Sequence, residues 1–128
     1  MDRKEFLDAV KQRSGLDEGQ AKAVTLAALA DLRDALPDDE ATDLASQLPR
    51  GLKETVQSPS TSPRRKGPLE MQALVEHLRT VLRPEDRPRA SQAAHAVAST
   101  LRDAITPGQL QDISGAFPPE LQRDLQAG

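Results

Sequence analysis

The sequence contains no cysteine, tryptophan or tyrosine, and Phe6 and Phe117 are its only aromatic residues. Without cysteine, neither a disulfide framework nor a thiolate metal site is available, which fits a reducing compartment. Without rings, there is no stacking platform for single-stranded nucleic acid. A β-sandwich also lacks its material, because strands favour β-branched and aromatic side chains. No stretch approaches the roughly 18 consecutive apolar residues of a membrane span. The charged start, Met1-Asp2-Arg3-Lys4-Glu5, is followed by no long apolar run, so no secretory leader is expected and the chain reads as cytoplasmic. The formal charge of −3 is not the basic balance of a general nucleic-acid binder.

What remains is a chain of 128 residues, enough for one compact domain or two very small ones, with a core of Leu, Val, Ile and Ala. Phe6, Leu7 and Val10 recur at helical spacing over 3–14, and Gly15 offers a left-handed helix end. Asp17 stands three residues before Gln20 as an approximate capping box for a helix over 18–36, whose broad apolar face marks it as central. After Pro37, the residues Ala41, Leu44, Ala45 and Leu48 predict a third helix. A short fourth one is expected over 49–56, with Pro49 at its start. Residues 58–68, Ser-Pro-Ser-Thr-Ser-Pro-Arg-Arg-Lys-Gly-Pro, hold three prolines and no aliphatic side chain, the composition of a linker. Helices are then expected over 69–82 and 89–105, with a charged turn over 83–88 between them. Thr106-Pro107-Gly108-Gln109 has cap, proline and glutamine placed for another helix start, and a last short helix follows Pro118-Pro119.

The two parts repeat each other. With residues 32–56 laid over 101–125 without a gap, Leu32-Arg33-Asp34-Ala35 matches Leu101-Arg102-Asp103-Ala104. Asp43, Pro49 and Leu52 match Asp112, Pro118 and Leu121. The pairs Leu36/Ile105, Leu44/Ile113, Leu48/Phe117 and Val56/Leu125 keep each core position apolar. Upstream, Phe6 falls on Leu74 and Val10 on Leu78 after a one-residue shift. The fold class is therefore all-α: two tandem helical repeats of about four helices each, residues 1–57 and 69–128, packed around an approximate two-fold axis.

Phe6-Leu7-x-x-Val10-x-x-Arg13-x-Gly15-Leu16, the Ala-rich second helix, Leu32-Arg33-Asp34-x-Leu36 and Glu40-Ala41-x-Asp43-Leu44-Ala45-x-Gln47-Leu48-Pro49-x-x-Leu52 together carry a family likeness. The chain resembles the bacterial family catalogued as domain of unknown function 2267, which is built as two helical repeats. The resemblance covers nearly the whole sequence. The second copy departs from the motif, with Gly115-Ala116-Phe117-Pro118 where the first has Ser46-Gln47-Leu48-Pro49. The resemblance implies a fold and no activity.

Four groups stand out as candidate sites. Asp38, Asp39, Glu40 and Asp43 could hold a hard cation; acids at a helix start equally cap free N–H groups and oppose the dipole. Their counterparts Pro107, Gly108, Gln109 and Asp112 do not preserve the cluster. His77 and His95 lack the paired spacing of a zinc site and read as an exposed helix residue and a partly buried packing residue. Arg33 and Asp34, with Arg102 and Asp103, occupy equivalent helix-end places and could pin the halves in register or meet a ligand. Arg64, Arg65 and Lys66 concentrate positive charge: residues 1–57 carry −4, 58–68 carry +3 and 69–128 carry −2. That run is either a partner contact or a solubilising spacer, and phosphate on Ser60, Thr61 or Ser62 would offset it.

No phosphate loop, Ser/His/Asp or Cys/His constellation or nucleophile elbow is present. No catalytic residue, metal or cofactor is therefore expected. The composition and duplication predict a non-enzymatic scaffold that binds a macromolecule, foremost an unidentified protein and not a membrane. Two alternatives stay open: a small regulatory ligand in the cleft between repeats, and nucleic-acid contact through the basic run.

Overall fold

The fold was analysed in a computed structural model that describes residues 1–57 and 68–126. Among these residues there are eight α-helices and no strand. They are α1 (Arg3–Ser14), α2 (Glu18–Ala35), α3 (Asp38–Gln47) and α4 (Lys53–Gln57), then α5 (Met71–Val81), α6 (Ala90–Ala104), α7 (Pro107–Ser114) and α8 (Pro119–Gln126). A 3-10 helix, Pro84–Arg89, leads into α6. No helix among the described residues is long and apolar enough to cross a membrane.

Local chemistry explains most boundaries. Asp2 and Glu5 form a full capping box on α1, and Gly15 closes that helix at φ 76° with its N–H donating to the Lys11 carbonyl. The Asp17 carboxylate accepts from the Gln20 N–H at 2.8 Å and starts α2. Extended Leu36, immediately before Pro37, ends it, because the residue before proline is pushed out of the helical region. Thr106 accepts from the Gln109 N–H, with Pro107 at the first turn of α7.

Three boundaries differ from the sequence expectation. Residues 49–52 form a turn instead of helix, because Gly51 adopts φ 97°, and α4 begins at Lys53. Leu69 is buried outside the helix, its N–H donating to the Ala116 carbonyl at 2.9 Å, and Glu70 is extended, so α5 starts at Met71. The charged stretch after Arg83 winds into the 3-10 helix. Pro84 presets its first turn, and Pro88, lacking an N–H, cannot donate to an α ladder.

The helices share one apolar core. Phe6, Leu29, Leu44 and Leu52 from the first part and Leu78, Leu101, Ile113 and Leu121 from the second are all essentially inaccessible and belong to a single cluster. α1 packs against α6, α2 against α5, and α2 against α6, so the two segments interlock. Ala21, Ala27 and Ala28 on α2 and Ala90, Ala93, Ala94, Ala96 and Ala98 on α6 are buried. Small side chains at helix contacts shorten the distance between axes, which is how a chain with few aromatics fills its interior. Among the described residues Met1 is the one large apolar side chain left exposed.

Candidate functional site

Polar groups line the junction between the two segments. Arg13, near the C-terminus of α1, donates to the hydroxyls of Ser99 and Thr100, each at 3.1 Å, and to the Asp103 carboxylate at 2.6 Å. Its own carbonyl accepts from the Gln92 amide. The Arg13 guanidinium beside Asp103 holds that carboxyl below the ordinary aspartate value. Arg83 reaches Asp17 at 2.6 Å and Asp86 at 3.2 Å, while its backbone N–H donates to the Gln20 side chain. Asp17 is thereby held low, first by the Gln20 backbone N–H and also by Arg83. Gln20 therefore does not close the capping box; its amide oxygen ties α2 to the chain leading into the 3-10 helix. Farther along, the Gln47 amide oxygen accepts from the Thr106 N–H at 2.8 Å.

Both histidines meet a carboxylate. His77 on α5 contacts Asp31 on α2 through Nδ1 at 2.9 Å and keeps 40% of its side chain exposed. His95 on α6 is 2.5 Å from Asp124 on α8. A carboxylate on Nδ1 fixes the orientation of an imidazole.

The helix-end residues fall into different settings. Arg33 is buried and donates to Asp38 at 2.9 Å, at the start of the next helix. Arg102 contacts Asp103 at 3.4 Å and the Asp124 carbonyl at 3.3 Å. Asp103 is joined to the opposite segment through Arg13, and Asp34 is partly buried. Arg64, Arg65 and Lys66 lie outside the described residues. Neither Arg13 nor Arg83 is among the candidate site residues of the sequence, and Gln20 reads there only as a helix-start residue. Arg13 sits one turn beyond Val10 on the inner edge of α1, but its partner lies 90 residues away.

Three surface clefts complete the picture. The first, about 380 Å³, lies between α3 and α7, with Leu36, Pro37 and Ala116 in its lining and the carboxylates of Glu40 and Asp112 at its sides. Burial, then the nearby charges of Asp112, Asp39 and Asp43, raises the Glu40 carboxyl above its ordinary value. One Glu40 oxygen is buried without a hydrogen-bond partner. Among the described residues no group of three or more carboxylates and imidazoles is arranged to hold a metal ion. The second cleft, about 220 Å³, runs between α7 and α8. Pro107, Leu110 and Leu125 line it, with Gln111, Ser114 and Gln126 at the rim. The third, about 450 Å³, separates the start of α1 from the 49–52 turn and the first residues of α4, and is lined by Arg3, Lys4 and Arg50 together with Asp2 and Glu54.

Residues 3–123 match the model of the family described as "Uncharacterized conserved protein (DUF2267)", so the chain belongs to that family. No curated protein matches the chain.

Proposed function

We propose that this protein is a non-enzymatic helical scaffold of the cytoplasm, and that it binds a protein partner in the groove between α7 and α8. The observation that carries the reading is the composition of that groove. Pro107, partly buried Leu110 and buried Leu125 line a groove in a described surface from which large apolar side chains other than Met1 are withdrawn, with Gln111, Ser114 and Gln126 beside them. An apolar centre with a hydrogen-bonding rim is the arrangement by which protein interfaces anchor one or two inserted side chains.

The scaffold itself is proposed to be two repeats around an approximate two-fold axis. Its support is the way helix pairs exchange when the repeats are superposed in sequence. α1 corresponds to α5 and α2 to α6, so the α1–α6 packing corresponds to α5–α2, while α2–α6 and α3–α7 pair counterparts with each other.

Affinity capture from native cells tests the binding reading, using the wild type and the variants Leu110→Ala and Gln111→Arg, with and without nuclease. The expected result is a partner that survives nuclease, is lost from both variants and leaves circular dichroism unchanged. A partner retained by both variants would remove the groove from the account. Loss on nuclease alone would move the contact to nucleic acid and to Arg64, Arg65 and Lys66. Turnover dependent on polar residues of the chain would overturn the non-enzymatic reading.

A further inference from the structure

We propose that the cleft between the start of α1 and the 49–52 turn with the first residues of α4 binds a compact phosphate-bearing ligand, a phosphomonoester or diphosphate, through Arg3, Lys4 and Arg50. This inference is independent of the partner groove, which lies on other helices.

The cleft has three cationic side chains and two carboxylates in its lining. The carboxylates are already engaged with the backbone. Asp2 accepts from the Glu5 N–H at 2.8 Å, and Glu54 accepts from the Gly51 N–H at 2.8 and 3.2 Å. Arg3, Lys4 and Arg50 are exposed, and none of them forms an ion pair with any described residue. They differ in this from Arg13, Arg33, Arg79, Arg83 and Arg102, each of which has an acidic neighbour. The N-terminal dipole of α1 is not the attraction, because Asp2 caps it.

Gly51 shapes this wall. At φ 97° it has no Cβ, and a Cβ built there would stand 2.7 Å from Cδ of Arg3 and 3.1 Å from its Nη1. The Arg3 side chain therefore lies across the bare glycine at the edge of the cleft. A guanidinium at this position offers a planar pair of donors to two oxygens of one phosphate, with Arg50 and Lys4 to share the remaining charge.

The ligand must be compact. A long polyanion would have to approach a chain of net charge −3, whose described surface places Asp38, Asp39 and Glu40 in the first turn of α3. A concavity of this size is within the range of small-ligand sites.

The test is a titration of the full 15N-labelled chain with inorganic pyrophosphate, followed by amide chemical shifts, with a mixed-sequence single-stranded oligonucleotide as the second arm. The expected result is saturable movement of the Lys4, Arg50 and Gly51 amides, with those beside Arg123, which does not line the cleft, still. The double variant Arg3→Gln/Arg50→Gln should bind at least about tenfold more weakly, each tenfold corresponding to about 1.4 kcal/mol. Both arginines are exposed, so the rest of its spectrum should match the wild type. Linear shifts spread over all basic residues, or unchanged affinity in the double variant, would overturn the proposal. Tighter binding of the oligonucleotide through the same amides would overturn it as well, by making the surface a polymer contact.

Discussion

Replacing Arg13 by methionine removes the guanidinium and keeps much of the aliphatic stem, so it isolates the polar junction from packing. Three hydrogen bonds are lost, to Ser99, Thr100 and Asp103. Their joint worth is bounded from two sides. A hydrogen bond to a charged group contributes about 1.5–3 kcal/mol when well shielded; an exposed ion pair contributes about 0–1 kcal/mol. The Arg13 and Asp103 side chains are 36% and 34% exposed, which sets the pair between these limits. Thr100 is fully buried but also donates to the Ala96 carbonyl at 2.7 Å, and Ser99 donates to the same carbonyl at 3.2 Å, so neither hydroxyl is stranded. A destabilisation of about 1–2 kcal/mol follows, a midpoint shift of roughly 4–8 °C for a chain of this size. Denaturant unfolding at about pH 7 measures it, and a double-mutant cycle with Asp103→Asn should return a coupling of about 0.5–1.5 kcal/mol. The pH dependence has a defined sign. Because the folded Asp103 carboxyl is held low, its contribution is complete above the unfolded value of about 3.9 and is lost as pH falls through the folded value. The gap between wild type and Arg13→Met should therefore narrow toward about pH 3. A gap under about 0.3 kcal/mol at neutral pH, or one that does not narrow in acid, would refute the assignment.

Other perturbations have equally definite signs. Glu40→Gln should raise the thermal midpoint at neutral pH, because a carboxyl whose folded value is raised opposes folding once ionised; the gain should vanish as pH falls to the unfolded value of about 4.3. The second segment already carries Gln109 at the corresponding position. Gly15→Ala should cost about 1–2 kcal/mol in chemical denaturation, since φ 76° is unfavourable with a Cβ and the new methyl would displace the Arg89 guanidinium. Leu29→Ala, at a fully buried position of α2, should cost about 3 kcal/mol by the same assay.

Much of the helical layout is legible along the chain because it depends on near neighbours. Asp17 before Gln20, Thr106 before Pro107 and the periodic Leu44 and Leu48 each act within one or two turns, and the helices appear where these residues place them. Pro49 alone reads as a helix start; the turn depends on a backbone angle at Gly51 that a lone glycine permits without announcing. His77 was expected at an exposed helix position, yet it reaches Asp31, which only the packing of α5 on α2 brings near. The same holds for Arg13. Periodicity shows which face of α1 is buried, but pairing with Asp103 depends on how α1 lies on α6. The clefts are beyond reach for that reason too: Leu110 and Leu125 belong to different helices, and Arg3 lies on α1 while Arg50 lies in the turn before α4.

The most direct test of the binding account places a photo-crosslinking residue at Gln111, and separately at exposed Lys22 on α2, in the protein expressed in its native cells. The account predicts a discrete, nuclease-resistant protein adduct from position 111 and none of that mass from position 22. No adduct at 111, or the same adducts from both positions, would contradict it.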